Sequence, residues 1–210
     1  MINRKRISEI LKDDLKYSYK SHFSRPPAAF DRELIKFRPE FTKTIDRLYE
    51  LGFNLIYVDE CSVSTDNLST KTWVQKDSFV PLIRPSNQRL NIIAAYIQKG
   101  KYAFMLKKGT TKTQHVIMFF EKLHATLCDT FNDDYIKHTV FVLDNARVHV
   151  SIKAKTYFKE KQFAVMTLPP YTPECNKVEG TFNLLKTHIK KQNLYDRRIE
   201  HVVVDVINKL

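Results

Sequence analysis

Thr139-Val-Phe-Val-Leu-Asp144 decides the fold class. The run is apolar without the polar alternation of a half-exposed strand, as expected for a strand buried on both faces. A carboxylate closes it. Upstream, Asn54-Leu-Ile-Tyr-Val-Asp59 repeats the pattern, again ending on an aspartate. Leu90–Gln98 and Tyr102–Leu106 read as two more strands joined through Lys99-Gly100-Lys101, a hairpin signal. Phe163–Leu168 is the fifth. Residues 113–128 carry Val116, Phe120, Leu123 and Leu127 in one stripe and predict an amphipathic helix. Residues 150–160 predict another. Strand-then-helix order late in the chain favours parallel pairing by right-handed crossover, and the early hairpin favours antiparallel pairing. A five-stranded mixed α/β sheet flanked by helices satisfies both. Ligands in such sheets gather at the carboxyl ends of parallel strands, where Asp59 and Asp144 are expected.

A third acid joins these two. After Leu168-Pro-Pro-Tyr-Thr-Pro173, Thr172 suits a helix N-cap and Pro173 the first helical position. Glu179 then falls early in the helix. Val178, Phe182, Leu185 and Ile189 share the face expected to pack on the sheet, and Glu179, Asn183, Lys186 and Lys190 form the adjacent stripe. A buried carboxylate is costly unless a cation meets it. Three converging carboxylates form an oxygen-rich site for divalent metal, and two Mg²⁺ ions ~4 Å apart can activate an attacking oxygen and stabilise a leaving one. Each acid also has an ordinary explanation. Asp59 has Glu60 as a rival, and strand alternation lets only one of the pair face the site. Asp144 with Asn145 could form a turn, and Glu179 could be a solvated helix residue. Glu174, in the first turn, is accounted for by the helix dipole. The lysines of the stripe could equally be ordinary helix-supporting residues. His149, shortly after Asp144, either orients a carboxylate or substrate or is a helix-face histidine.

Composition points to the substrate. The 35 Lys+Arg against 23 Asp+Glu give a net charge of +12, which favours a polyanionic partner. At 210 residues, with 43% hydrophobic content and 4 Gly, the chain can bury a core without disulfides. Cys61, Cys128 and Cys175 are far apart and form no C-x-x-C pair, so neither a zinc ribbon nor a disulfide framework is supported. No Gly-rich phosphate loop and no Gly-x-Ser-x-Gly elbow is present. Met1–Arg6 lacks the apolar stretch of a signal peptide, and no segment approaches a membrane span, so an intracellular protein without a membrane partner is expected.

Tyr57-Val-Asp-Glu60, Val142-Leu-Asp-Asn-Ala-Arg-Val-His149 and Leu168-Pro-Pro-Tyr-Thr-Pro-Glu-Cys-Asn-Lys-Val-Glu179 resemble the mariner superfamily of DDE transposases. The third block is the most specific; its family form is Pro-x-Tyr-Ser-Pro-x-Leu-Asn-Pro-Ile-Glu. The 34 residues between Asp144 and Glu179 match the family spacing. The resemblance implies an RNase H-like catalytic domain over 51–210, with Asp59, Asp144 and Glu179 as catalytic metal ligands. It further implies Mg²⁺, or Mn²⁺ in its place, and DNA as partner. The implied reaction is strand cleavage by activated water, followed by attack of the freed 3′ hydroxyl on target DNA. Assembly as a homodimer or higher oligomer is implied too. Asn145 and His149 are expected to support the acids, and Asn183, Lys186 and Lys190 to meet DNA. Residues 1–50 resemble the tail of the family's helix-turn-helix region, with Arg4, Lys5 and Arg6 as DNA contacts on a helix over 3–19. A second helix is expected over 33–51, with Phe37, Phe41, Ile45, Leu48 and Tyr49 on one face around Pro39. Most of the family's N-terminal DNA-binding domain is missing, so a catalytically silent DNA-binding remnant is the alternative, and an RNA-cleaving RNase H-like enzyme fits the motifs less well. Cys175 stands where the family has leucine and Lys177 where it has proline. Residues 61–89 are expected to be irregular, with Trp73 in their middle, where some members carry a loop that engages the partner subunit. A helix over 197–210 is weakened by the β-branched run Val202–Val204. The expected home is the nucleus in a eukaryote or the cytoplasm in a bacterium.

Overall fold

The computed structural model describes residues 4–18, 27–65, 88–98, 101–131, 133–192 and 198–209. Strands β1 (Asn54–Ser64), β2 (Arg89–Gln98), β3 (Lys101–Lys108), β4 (Thr139–Leu143) and β5 (Ala164–Thr167) form one sheet in the order β3-β2-β1-β4-β5. The hairpin half is antiparallel and the β1–β4 and β4–β5 pairs are parallel. The expected five-stranded mixed sheet is therefore present, and β4 is buried at every position.

Helices cover both faces. The α-helices among the described residues are α1 (Arg4–Glu9), which buries no residue, α2 (Arg32–Glu50), α3 (Thr113–Phe131), α4 (Arg147–Val150), α5 (Ile152–Glu160), α6 (Val178–Lys190) and α7 (Ile199–Ile207). Strand alternation sorts the core. Ile56, Val58, Ile93, Phe141 and Leu143 face α3 and α5, where Phe120 packs edge-on against Phe141 and Phe158. Leu55, Tyr57, Ala94, Val140 and Val142 face the other way, against Val178 and Phe182 of α6 and Ile45 of α2. Further along that face, Leu90 and Ile92 meet Leu185 and Ile189 of α6 and Ile199, Val202, Val203 and Val206 of α7. All four residues expected on the sheet-facing side of α6 are buried. Burial explains why α7 forms despite its β-branched run: Val202 and Val203 are fully covered, and tertiary packing outweighs weak helix propensity.

Several expectations change. Asp59 does not end its strand; β1 runs on through Cys61–Ser64, paired with β2 down to Arg89, where irregular backbone was expected. Residues 66–87, including Trp73, and Lys99 and Gly100 of the expected hairpin lie outside the described residues. Thr172 does not cap a helix with its hydroxyl, which donates instead to the Pro169 carbonyl at 2.6 Å; a 3₁₀ turn over Pro173–Cys175 precedes α6. The helix expected over 150–160 is split, because Ser151 leaves α4 in extended backbone and caps α5 by accepting the Ala154 N–H at 3.3 Å. On α2 only Phe41, Ile45 and Leu48 of the expected apolar face pack inward, while Phe37 and Tyr49 are exposed. Helix α2 accommodates Pro39 without ending. The N-terminal helix is shorter than expected, passing from α1 into a π-helical turn over Ile10–Asp14, with Ile7, Leu11 and Leu15 exposed.

Candidate active site

Backbone register places the two aspartates. Val58 pairs with Leu143 in the last rung of the parallel β1–β4 ladder, and Asp59 and Asp144 each follow by one residue. Adjacent strands lie ~4.8 Å apart, so the two residues stand side by side where the β1–β4 ladder ends. Asp59 shares the face of Leu55 and Tyr57, and Asp144 that of Val140 and Val142, the face covered by α6. Glu179 stands in the first turn of α6. Glu60 points to the opposite side, so alternation separates it from Asp59 as expected.

The electrostatics report the crowding. Burial first, then the charge of Asp144, push Asp59 up to about 7; Glu60 and Glu179 add to this, while the hydrogen bond from the Glu60 N–H opposes it. That N–H donates to Asp59 Oδ1 at 2.7 Å, and Asn176 Nδ2 donates to Oδ2 at 2.9 Å. Glu179 is half-buried, and its carboxylate has no hydrogen-bond or ion-pair partner among the described residues. Among the described residues no three His, Cys, Asp or Glu side chains are gathered into a ready metal cage. Magnesium does not require one, since it takes one or two carboxylates and completes its shell with water and phosphate oxygens. An all-oxygen donor set with mutually repelling carboxylates, one of them held partly protonated, suits a hard divalent cation.

His149 is 2% exposed and links two acids. Its Nδ1 donates to Asp144 Oδ1 at 2.7 Å, and its Nε2 lies 3.2 Å from Glu60 Oε2, off the line of a good hydrogen bond. Burial alone would favour the neutral ring, but the contacts with Asp144 and Glu60 outweigh it and raise His149 to about 10. Burial likewise would raise Asp144, yet the His149 hydrogen bond, the Ala146 N–H at 2.9 Å and the imidazolium charge hold it below the usual carboxylate range. Neighbouring aspartates are thus tuned apart, with Asp144 ionised and Asp59 near its titration point.

The remaining expected residues divide. Asn145 Nδ2 donates to the Leu168 carbonyl at 2.6 Å, tying the loop after β4 to the end of β5 rather than touching an acid. Lys186 is half-buried and its charge acts on Cys61, two residues beyond Asp59 on the same face; burial pushes that thiol up to about 12 against the lysine's pull. Asn183 and Lys190 are exposed further along α6, and Arg4, Lys5 and Arg6 are exposed on α1. Sequence reasoning missed Asn176, which is 4% exposed and bridges Asp59 to the start of α6, and it missed Glu60 as the second partner of His149. The signal for Asn176 was available, because it falls on the asparagine of the family block. Lys177, next to it, lies 4.6 Å from the Tyr49 ring centroid and 5.7 Å from that of Tyr57, so the residue standing for the family's proline ties α2 to β1.

Comparison with known proteins agrees with this architecture. The Mos1 transposase paired-end complex with the left transposon end superposes with a TM-score of 0.70 at 15% identity, covering 99% of this chain and 62% of that one. The mariner Mos1 paired-end complex with Mg gives 0.70 at 15% identity over 99% and 63%. The catalytic domain of Mos1 mariner transposase gives 0.60 at 14% identity over 91% and 84%. The chain thus spans about three-fifths of the full Mos1 chains it matches and shares the fold of their catalytic domain. No curated protein matches the sequence. Residues 54–200, the sheet and the helices that carry all three acids, match the model of the DDE superfamily endonucleases, and the chain belongs to that family.

Proposed function

We propose that this chain performs metal-dependent cleavage and strand transfer on DNA, with Asp59, Asp144 and Glu179 as its metal-holding carboxylates. The observation that carries the reading is the placement of Asp59 and Asp144 one residue beyond the last parallel rung, on the face where Glu179 enters from α6 and adds its charge. Mg²⁺ bound by these acids, or Mn²⁺ in its place, would act as a Lewis acid on the scissile phosphate and the attacking oxygen. Asp59 must release its proton to join. Asn176 holds its carboxylate in place, and buried, cationic His149 keeps Asp144 ionised and fixed in orientation. Lys186 faces the same surface and meets phosphate negative charge. DNA is the substrate the +12 charge and the family favour, and the Mos1 complexes contain transposon ends. By the same analogy a homodimer or larger assembly brings two ends together, in the nucleus of a eukaryote or the cytoplasm of a bacterium.

A nicking assay on supercoiled DNA with Mg²⁺ or Mn²⁺ tests this. The wild type should nick, and Asp59→Ala, Asp144→Ala and Glu179→Ala should each lose nicking while keeping the wild-type circular dichroism spectrum. Salt-dependent DNA binding without any nicking would support a silent remnant instead.

A further inference from the structure

A second charged feature lies away from the acids. Gln88, Arg89, Lys108, Arg198, Ile199 and Glu200 line a cleft of about 440 Å³ where the ends of β2 and β3 meet the start of α7. Three cations face one acid. Lys108 is paired with Glu200, which leaves Arg89 and Arg198 in excess. The Arg89 Nε donates to Ser62 Oγ at 2.6 Å, fixing the stem while both terminal nitrogens stay available. Arg198 precedes α7, and its side chain makes no hydrogen bond or ion pair among the described residues. Gln88 Oε1 accepts the Ile199 N–H at 3.3 Å, so the positive end of the helix dipole opens on the same cleft.

The geometry points to this cleft as a docking site for a DNA backbone phosphate, held by Arg89 and Arg198. The assignment rests on the proposed DNA-cleaving function and adds a second contact to it. Ser64, which pairs with Arg89, lies five residues along β1 from Asp59, roughly 17 Å at ~3.4 Å per residue. Nucleotides along a duplex strand also rise by about 3.4 Å. Five such steps are about half a turn of duplex, so a duplex whose reacting phosphate lies at Asp59 offers the two arginines a phosphate of the complementary strand. Planar, always-charged guanidinium groups suit that partner, since they bond phosphate oxygens in pairs. The contact fixes register and carries no sequence information.

The test is salt-dependent binding of a labelled duplex by fluorescence anisotropy. The full chain carrying Arg89→Gln with Arg198→Gln is compared with a control carrying Lys153→Gln with Lys155→Gln on exposed positions of α5. Each phosphate contact contributes about 0.9 to the slope of log K against log salt. The arginine variant should lose up to about 2 from the slope and bind roughly tenfold more weakly at low salt, with the control close to wild type. An unchanged arginine variant would overturn the assignment. Equal losses in both variants would also overturn it, because they would show diffuse charge rather than a site. Thermal melts of both variants confirm folding. Wild-type protein that binds but never nicks would defeat the proposed function while leaving the binding comparison readable on its own.

Discussion

Asn176 Nδ2 donates to Asp59 Oδ2 at 2.9 Å across 117 residues of chain. The same side chain accepts from the Val178 N–H at 3.4 Å. One buried amide therefore sets the position of a central-strand carboxylate relative to the helix that brings in Glu179. Asn176→Ala should cost about 1–3 kcal/mol in chemical denaturation, the range for leaving a buried hydrogen-bonding group unsatisfied. It also removes a donor that favours the ionised form of Asp59. The pH at which nicking reaches half its maximum should therefore move upward, and an unchanged profile would show that Asn176 does not tune Asp59.

Asp59 makes the metal-free protein sensitive to pH. Its folded value is raised from 3.8 to about 7, so the folded state binds a proton that the unfolded state releases. That stabilisation is fully present below 3.8 and is lost as pH rises through about 7. Asp59→Asn should therefore melt higher than the wild type at pH 8 without metal, by a margin on the order of 1–2 kcal/mol. Added Mg²⁺ should raise the melting temperature of the wild type and not that of the variant. Equal metal responses would remove Asp59 from the ligand set.

His149 sets a second, more alkaline window. Raised from 6.5 to about 10, it contributes stability that is complete below 6.5 and disappears as pH climbs through about 10. Denaturation midpoints should fall over that range in the wild type and stay flatter in His149→Gln. At neutral pH the substitution leaves Asp144 and Glu60 without their shared cation. A loss of about 3–5 kcal/mol is expected, as when one partner of a buried ion pair is removed.

Lys177→Pro is expected to be nearly neutral. Lys177 has φ −62°, which proline adopts without strain, and Asn176 before it has the extended φ −98°, ψ 104° that a following proline requires. Restricting the unfolded chain should contribute about 0.4–1 kcal/mol. Loss of the ammonium over Tyr49 and Tyr57 should cost about 0.5–1 kcal/mol. A melting temperature within about 3 °C of wild type checks the balance, and a large drop would show that the lysine contact carries more than an exposed cation–π pair.

The sheet was legible because each strand announces itself over several residues: Val140–Leu143 has no polar break, and Lys99-Gly100-Lys101 separates two apolar runs. The adjacency of Asp59 and Asp144 follows from two similar strands ending their shared ladder at the same rung. The continuation of β1 past Asp59 was not legible, because Cys61–Ser64 is polar enough to resemble a loop; pairing with β2 overrides that composition. The role of Thr172 was misjudged for a related reason. A threonine before a proline fits an N-cap equally well whether its hydroxyl serves the following helix or the preceding turn, and only the fold of the 169–172 backbone decides. The His149–Glu60 contact joins residues far apart in sequence on opposite sides of an alternation, a relation that no spacing rule contains.

Strand β1 is the middle of the five, paired with β4 over Asn54–Val58 and with β2 over Tyr57–Ser64. Freeing the backbone around Asp59 would require tearing the sheet at its centre, so amide protons there should exchange with solvent only when the whole domain unfolds. Glu179 rides on the opening turn of a surface helix, where exchange is expected to be faster. One jaw of the grip is therefore immovable, and whatever adjustment cation and nucleic acid demand has to come from the other.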